Sequence, residues 1–322
     1  MAILGALSVR RFAVVALFAI LLLVPLLAWV DEDPFLLTLV LRLMIFAIAA
    51  LSLDLILGVG GLVSFGHAAF IGIGAYSIGI LSSFDISSGL VQWPVGIALS
   101  ALYAAAVGAI SIRTSGVYFI MITLAFAQMI YFFFVSIPGF GGDDGLPISI
   151  RSNFAGVIDL GNRYHLYYTA LVLLSFALLF SHRLVHSRFG NVIRGARSNP
   201  QRMAAIGFPV FRYQLAVFVI AGAMCGFAGM LIGNLTGFVS PNYMHWTRSG
   251  EIIFMVVLGG MGTLFGPVFG AGVYLMLETV LSKFTEYWQL VIGILLVLVA
   301  LYAKQGLWGL FASLDRWLGR DD

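Results

Sequence analysis

Ser198-Asn199-Pro200-Gln201-Arg202-Met203-Ala204-Ala205-Ile206-Gly207 spells out a complete short helix. Asn199 suits the capping position, where a side-chain oxygen accepts an early backbone N–H. Pro200 suits the first helical position, where its missing donor costs nothing. Gly207 suits the left-handed residue that closes the last turn. Around this helix, the loop from His182 to Arg212 carries six arginines (Arg183, Arg188, Arg194, Arg197, Arg202, Arg212), two histidines and no acidic residue. Apolar runs flank the loop on both sides. Such a loop marks the cytoplasmic side of a membrane protein. Its helix either lies on the headgroups as part of a topogenic loop or docks into a cytoplasmic partner.

Composition agrees with the membrane reading. The chain has 322 residues, 61% hydrophobic and 10% charged, with a mean hydropathy of +1.05. Crossing the roughly 30 Å hydrocarbon core takes about 20 apolar residues, and blocks of that length recur from Phe12 to Tyr302. The expectation is an all-α integral membrane protein, one transmembrane domain over residues 1–322. The net charge of +3 reflects arginines gathered in loops and does not point to nucleic acid. Cys225 is the single cysteine, so no disulfide framework exists, and it reads as a small packing residue. The run after Arg10 and Arg11 is too long for a signal-peptide core and reads as a retained first span.

The spans follow as about 12–30, 35–57, 64–82, 93–112, 117–137, 164–181 and 213–235. Span five opens into a long outer segment, 138–163, and span six delivers the basic cytoplasmic loop, 182–212. The stretch 251–277 is either one long span or two short ones hinged at Gly259-Gly260-Met261-Gly262. A last span covers about 288–302. The hinge places the basic tail (Lys304, Arg316, Arg320) in the cytoplasm, so charge asymmetry favours about ten membrane segments with both termini inside. Some segments are short or broken at glycine-rich turns.

Helices in lipid associate through close approach of small residues. Gly222-x-x-x-Gly226, Gly229-x-x-x-Gly233 and the run Gly262, Gly266, Gly270 have that spacing, and a packing role is the plainer reading. Two stretches look alike: Leu57-Gly58-Val59-Gly60-Gly61 leading to Tyr76, and Leu258-Gly259-Gly260-Met261-Gly262 leading to Tyr274. Interrupted segments in matching halves tend to mark a transport path.

Polar residues within spans are costly and kept for a purpose. Arg42 is placed to snorkel outward. Asp54, roughly 18 Å further along the same helix, sits at the cytoplasmic interface or pairs with another helix. His67 reads as a helix-start or interfacial residue ahead of a ligand. Thr123, Gln128, Tyr131 and Asn234, with Thr236, are candidates to face a pathway. The outer loop Gly139–Gly145 is expected to be mobile, with Asp143 and Asp144 either contacting an external partner or merely solvated.

Enzyme readings fail on motif grounds. No nucleophile elbow and no phosphate-binding G-x-x-x-x-G-K-[ST] occurs. His182 and His186 stand four apart without the glutamate of a zinc protease. No catalytic residue and no metal site is expected, and any ATP and magnesium must sit on other chains.

Five ordered segments resemble the branched-chain amino acid ABC-importer permeases of the LivM type. They are Leu57 through Tyr76; Gly116-Val117-Tyr118-Phe119 into Gln128 and Gly141–Leu146; Asn199 through Gly207; Gly237-Phe238-Val239-Ser240-Pro241; and Val257 through Pro267. The resemblance covers most of the chain, with Asp54 standing where an uncharged residue such as asparagine is expected. It implies a type II-like importer permease of the bacterial inner membrane, in a family that also holds LivH-like and ribose-type permeases. Its implied partners are a second, LivH-like permease, two cytoplasmic ATPases and an extracytoplasmic substrate-binding protein. The loop helix (Asn199, Pro200, Met203, Ala204, Ala205, Ile206, Gly207) would be the coupling helix to the ATPase, with Met203, Ile206 and Phe208 filling its cleft. Asp143 and Asp144 would meet the binding protein. The substrate is expected to be a branched-chain amino acid, with urea or short amides as the alternative. A secondary transporter or channel would need a titratable mid-membrane cluster, and none is expected from the sequence.

Overall fold

The computed structural model describes residues 9–30, 34–156, 158–302 and 306–309. Lys304, Arg316 and Arg320 of the basic tail lie outside these residues, as do the acidic residues 31–33. Twelve helices are described: α1 (Val9–Val30), α2 (Pro34–Asp54), α3 (Ala68–Ser83), α4 (Gly89–Ser111), α5 (Val117–Val135), α6 (Arg163–Val185), α7 (Arg188–Ser198), α8 (Pro200–Ala205), α9 (Val210–Thr236), α10 (Trp246–Gly259), α11 (Gly266–Phe284) and α12 (Trp288–Tyr302). The chain is an all-α membrane protein. Among the described residues, five helical stretches are long and apolar enough to cross a bilayer: 34–59, 89–111, 117–135, 163–185 and 210–236. Stretches in α1, α3 and α12 are apolar but shorter. α10 and α11 follow one another as a helical pair.

The 251–277 stretch is divided. Gly260 at φ 117° and Gly262 at φ 75° turn the chain between α10 and α11, a conformation that side chains with a Cβ rarely adopt. The two helices then fold back on each other so closely that a Cβ on Gly270 would stand 2.7 Å from the Gly259 nitrogen. Tight backbone contact replaces side-chain interdigitation here, as lipid-embedded helices require.

Two central helices organise the bundle. α9 packs against α3 and α4, and α2 against α9, α6 and the α10–α11 hairpin. The glycine spacing in α9 has its predicted use: a Cβ on Gly222 would stand 2.6 Å from that of Ala104, and one on Gly229 would stand 2.7 Å from the Ile71 carbonyl carbon. Cys225 is buried in the same seam, as its packing role requires. α2 ends in a π turn, Leu55–Val59, after which the chain runs extended to the start of α3.

The outer segment 138–163 is built rather than loose. Two single 3₁₀ turns, Pro138–Phe140 and Gly142–Asp144, precede β1 (Leu146–Pro147), which pairs antiparallel with β4 (Phe238–Val239) in the register Leu146↔Val239. β2 (Asn153–Phe154) and β3 (Ile158–Asp159) form a small hairpin. After β4 the chain dips back into the bundle. Met244 is fully buried, and a Cβ on Gly72 of α3 would stand 2.6 Å from its methyl carbon. α10 therefore starts deep, with Ser249 Oγ accepting the Ala68 N–H at the head of α3 (2.9 Å).

Candidate functional site: the glycine breaks and the cytoplasmic loop

The two glycine-rich stretches that look alike in sequence touch in space. Asp54 is buried at the end of α2, and its Oδ1 accepts the backbone N–H of Gly262 at 2.8 Å. A Cβ on Gly58 would stand 2.7 Å from the Gly262 Cα and closer still to the Asp54 carboxylate. Of the two readings open for Asp54, the structure selects pairing with another element. Leaving a buried acceptor without its donor costs about 1–3 kcal/mol. Losing it would leave a buried carboxylate unpaired.

A third element closes this junction. Arg197 of α7 donates from Nη1 to the Gly58 carbonyl, and its stem lies where a Cβ on Gly61 would fall. Burial is the largest influence on the Asp54 carboxyl, with the Gly262 N–H and then the Arg197 guanidinium acting against it. His67 is a buried structural residue, its Nε2 2.8 Å from Ser52 Oγ, and it ties the head of α3 to α2.

The loop contains more structure than the sequence reading assigned. α8 has the predicted cap, Asn199 Oδ1 accepting the Arg202 N–H at 2.9 Å, and Gly207 is left-handed at φ 93°. The preceding residues form α7, which the reading missed. Ser187 caps it by accepting the Gly190 N–H, and Val192, Ile193 and Ala196 are buried. That cap and i, i+1, i+4 apolar spacing were visible signals, overlooked because the arginines dominate the stretch. Met203 requires a correction to its pocket-filling role. It lies against Gly195 of α7, where a Cβ would approach its sulfur to 2.7 Å. Ala204 and Ala205 are exposed, and Ile206 and Phe208 are the outward apolar groups.

Beside the junction lies a cavity of about 900 Å³. Asp54, His182, His186, Arg194, Gly262 and Phe265 are among its lining residues. It opens where the loop meets the inner ends of α2 and the hairpin.

The candidate pathway residues do not converge. Thr123 is fully buried, and its Oγ1 accepts the Phe65 N–H (3.3 Å). Asn234 is likewise buried, accepting the Ser152 N–H (2.9 Å) and donating to the Met230 carbonyl (3.0 Å). Thr236 donates to the Phe238 carbonyl. Tyr131 stands edge-on to His245, and Gln128 Nε2 is buried without a hydrogen-bond partner. Asp143 and Asp144 are exposed in their 3₁₀ turn, which backbone bonds such as Gly145 N–H to Gly141 O (3.1 Å) stabilise. The expected loose loop is therefore a defined one.

Two ion pairs that the sequence did not suggest lie on α2, α10 and α11. Arg42 pairs with Glu278 at 3.1 Å and Arg248 with Glu251 at 2.7 Å. Arg42 does not simply snorkel: its partner comes from α11, which no local pattern could supply.

A profile of the family described as "Branched-chain amino acid transport system / permease component" matches residues 35–300. The permease protein LivM of the high-affinity branched-chain amino acid transport system of Salmonella typhimurium is 30% identical over 291 residues, covering 82% of this chain and 68% of that protein. Its Escherichia coli K12 counterpart is 29% identical over the same extent. The Salmonella typhimurium permease LivH is 25% identical over 290 residues, covering 82% and 91%. No solved structure matches significantly. The matched span contains α2 through α11, both glycine breaks and the capped loop helix, and the relatives are transport subunits, not enzymes. The chain belongs to the family of branched-chain amino acid transport system permease components.

Proposed function

We propose that this chain is the permease subunit of an ATP-driven importer for branched-chain amino acids, spanning the inner membrane with both termini in the cytoplasm. α8 is its coupling helix, seated in a cytoplasmic ATPase of which the complex holds two. ATP and magnesium sit on those chains. A second, LivH-like permease completes the membrane part, and an extracytoplasmic binding protein delivers substrate to the outer face.

The observation that carries this reading is the mechanical continuity from α8 to the glycine breaks. α8 is capped at both ends, its Ile206 edge is exposed, and its Met203 rests on α7. Arg197 of α7 holds the Gly58 carbonyl, and Gly58 packs on Gly262. A rigid push on α8 thus reaches two backbone breaks at once, together with the ends of α6 and α9 that flank the loop. Backbone breaks are where a membrane bundle can pivot without exposing side chains. The exposed apolar residues suit a cleft, and the flanking arginines suit its rim.

The test is Ile206→Asp, with Ala205→Asp beside it. Each places a charge in the proposed cleft contact. ATP-driven uptake by the reconstituted complex should fall at least tenfold while the chain still inserts in the membrane. Full uptake in either variant removes α8 from the coupling role.

A further inference from the structure

The two ion pairs lie on α2, α10 and α11, the three helices that also carry the glycine breaks. Their depth follows from helix geometry. Arg42 is eight residues past Pro34, about 12 Å into the membrane from the start of α2. Glu278 is twelve residues past Gly266, about 18 Å above the cytoplasmic hairpin. The pairs therefore sit inside the helical stretches, about 12 Å from the Pro34 end of α2 and about 9 Å from the Phe284 end of α11. They act as one cluster, since Glu251 and Tyr274 each stand within electrostatic reach of Arg42, Arg248 and Glu278.

These charges are not sealed inside the chain. Side-chain exposure is 36% for Arg42, 18% for Glu278, 34% for Arg248 and 18% for Glu251. Charges left partly exposed along apolar helices are costly against lipid and belong to an aqueous or protein-lined space. Sites beside broken helices are where transporters hold their cargo.

We infer that Arg42, Glu278, Arg248 and Glu251 line the translocation path and receive the α-carboxylate and α-ammonium of an amino acid in transit. This rests on the import reading above and adds the residues that recognise the substrate's head. The cluster is neutral overall, two cations against two anions. A zwitterion entering it leaves it neutral, with its carboxylate on an arginine and its ammonium on a glutamate. A solute with net charge would leave an uncompensated charge in the membrane, which is costly. An uncharged amide must compete with ion pairs that already satisfy each other. Because binding must open those pairs, the hold on substrate is weak, as passage requires.

The experiment uses the complete complex in proteoliposomes, with leucine as probe. Glu251→Gln and Arg42→Gln should each lower leucine uptake at least tenfold while the complex still co-purifies. The charge-exchanged pair Arg42→Glu with Glu278→Arg keeps the cluster neutral but swaps the places of cation and anion, so a site that orients the two ends of the substrate should not regain uptake. Unchanged uptake in the single variants, or recovery in the exchanged pair, would show a structural strut and overturn the inference. A second measurement does not depend on those variants folding. The variant is Phe254→Cys, at an exposed position one turn beyond Glu251, in a Cys225→Ala background. It should react with a small impermeant cationic thiol reagent, and leucine turnover should slow the reaction severalfold. No reaction in any state places this face against lipid or a dry contact, and the inference fails. Failure of the import reading is separate: it would appear as a wild-type complex that carries no leucine.

Discussion

The contact between the glycine breaks can be tested by adding one methyl group. In Gly58→Ala, the new Cβ would stand 2.7 Å from the Gly262 Cα and would displace the Asp54 carboxylate. Backbone cannot swing aside as a flexible side chain can, so the break must open. Overpacking of this kind costs about 1–3 kcal/mol. The Asp54–Gly262 hydrogen bond, 2.8 Å in the native junction, is lost with it, at about 1–3 kcal/mol for a buried group left unsatisfied. The sum, about 2–6 kcal/mol, corresponds to a drop in melting temperature on the order of 10 °C, borrowing the scale of soluble chains. The protein carries its own reporter: Cys225 is the single cysteine and fully buried. A fluorogenic thiol dye therefore reports unfolding without any engineered label. The control is Gly293→Ala in α12, where an added Cβ meets nothing within 4 Å and the helix propensity of alanine is the higher. It should melt at or slightly above the wild-type temperature. If Gly58→Ala melts within 1–2 °C of Gly293→Ala, on a scale of several degrees per kcal/mol, the two breaks do not touch as described.

Arg197→Gln removes both the donor to the Gly58 carbonyl and the cation facing Asp54. Uptake should fall several-fold with melting lowered by a few degrees, and Arg197→Lys should recover part of both, since lysine keeps the charge but loses the planar fork. Unaltered uptake and melting in Arg197→Gln would break the proposed relay. Asp143→Asn combined with Asp144→Asn should raise the binding-protein concentration for half-maximal uptake at low salt and leave the maximal rate nearly unchanged, because rim charges act on association. An unaltered concentration dependence would make the pair a solvated turn. A cysteine at Ser313, outside the described residues, should resist an impermeant thiol reagent applied to intact cells after Cys225 is replaced; ready labelling would place the tail outside.

Much of the fold was legible because its signals are local. A span is a run of some twenty apolar residues, and residues 34–59 or 210–236 announce themselves within a single window. The α8 cap needs only Asn199, Pro200 and Gly207, neighbours in the chain. The hinge was readable as glycines in an apolar stretch, although the same glycines allowed one continuous span. What divided it is a backbone contact between Gly259 and Gly266 that forms only when the hairpin closes. α7 lay between these cases: its cap and apolar spacing are local, but its arginines read as a topogenic loop.

The site itself was decided by tertiary structure. Asp54 finds Gly262 across 208 residues of chain, Arg197 finds Gly58 across 139, and Arg42 finds Glu278 across 236. Hydropathy and periodicity are blind to such pairs, because they report what a residue shares with its near neighbours. Sequence alone determined that the chain crosses the membrane many times, that its basic loop presents a capped helix, and which family it resembles. Only the packed bundle decided that the two glycine breaks meet, that an arginine of the loop reaches them, and that four charges from three helices converge. The physical reason is that an isolated charge or a bare backbone turn is unfavourable within lipid, and the partner that makes it tolerable can come from any helix the fold brings alongside.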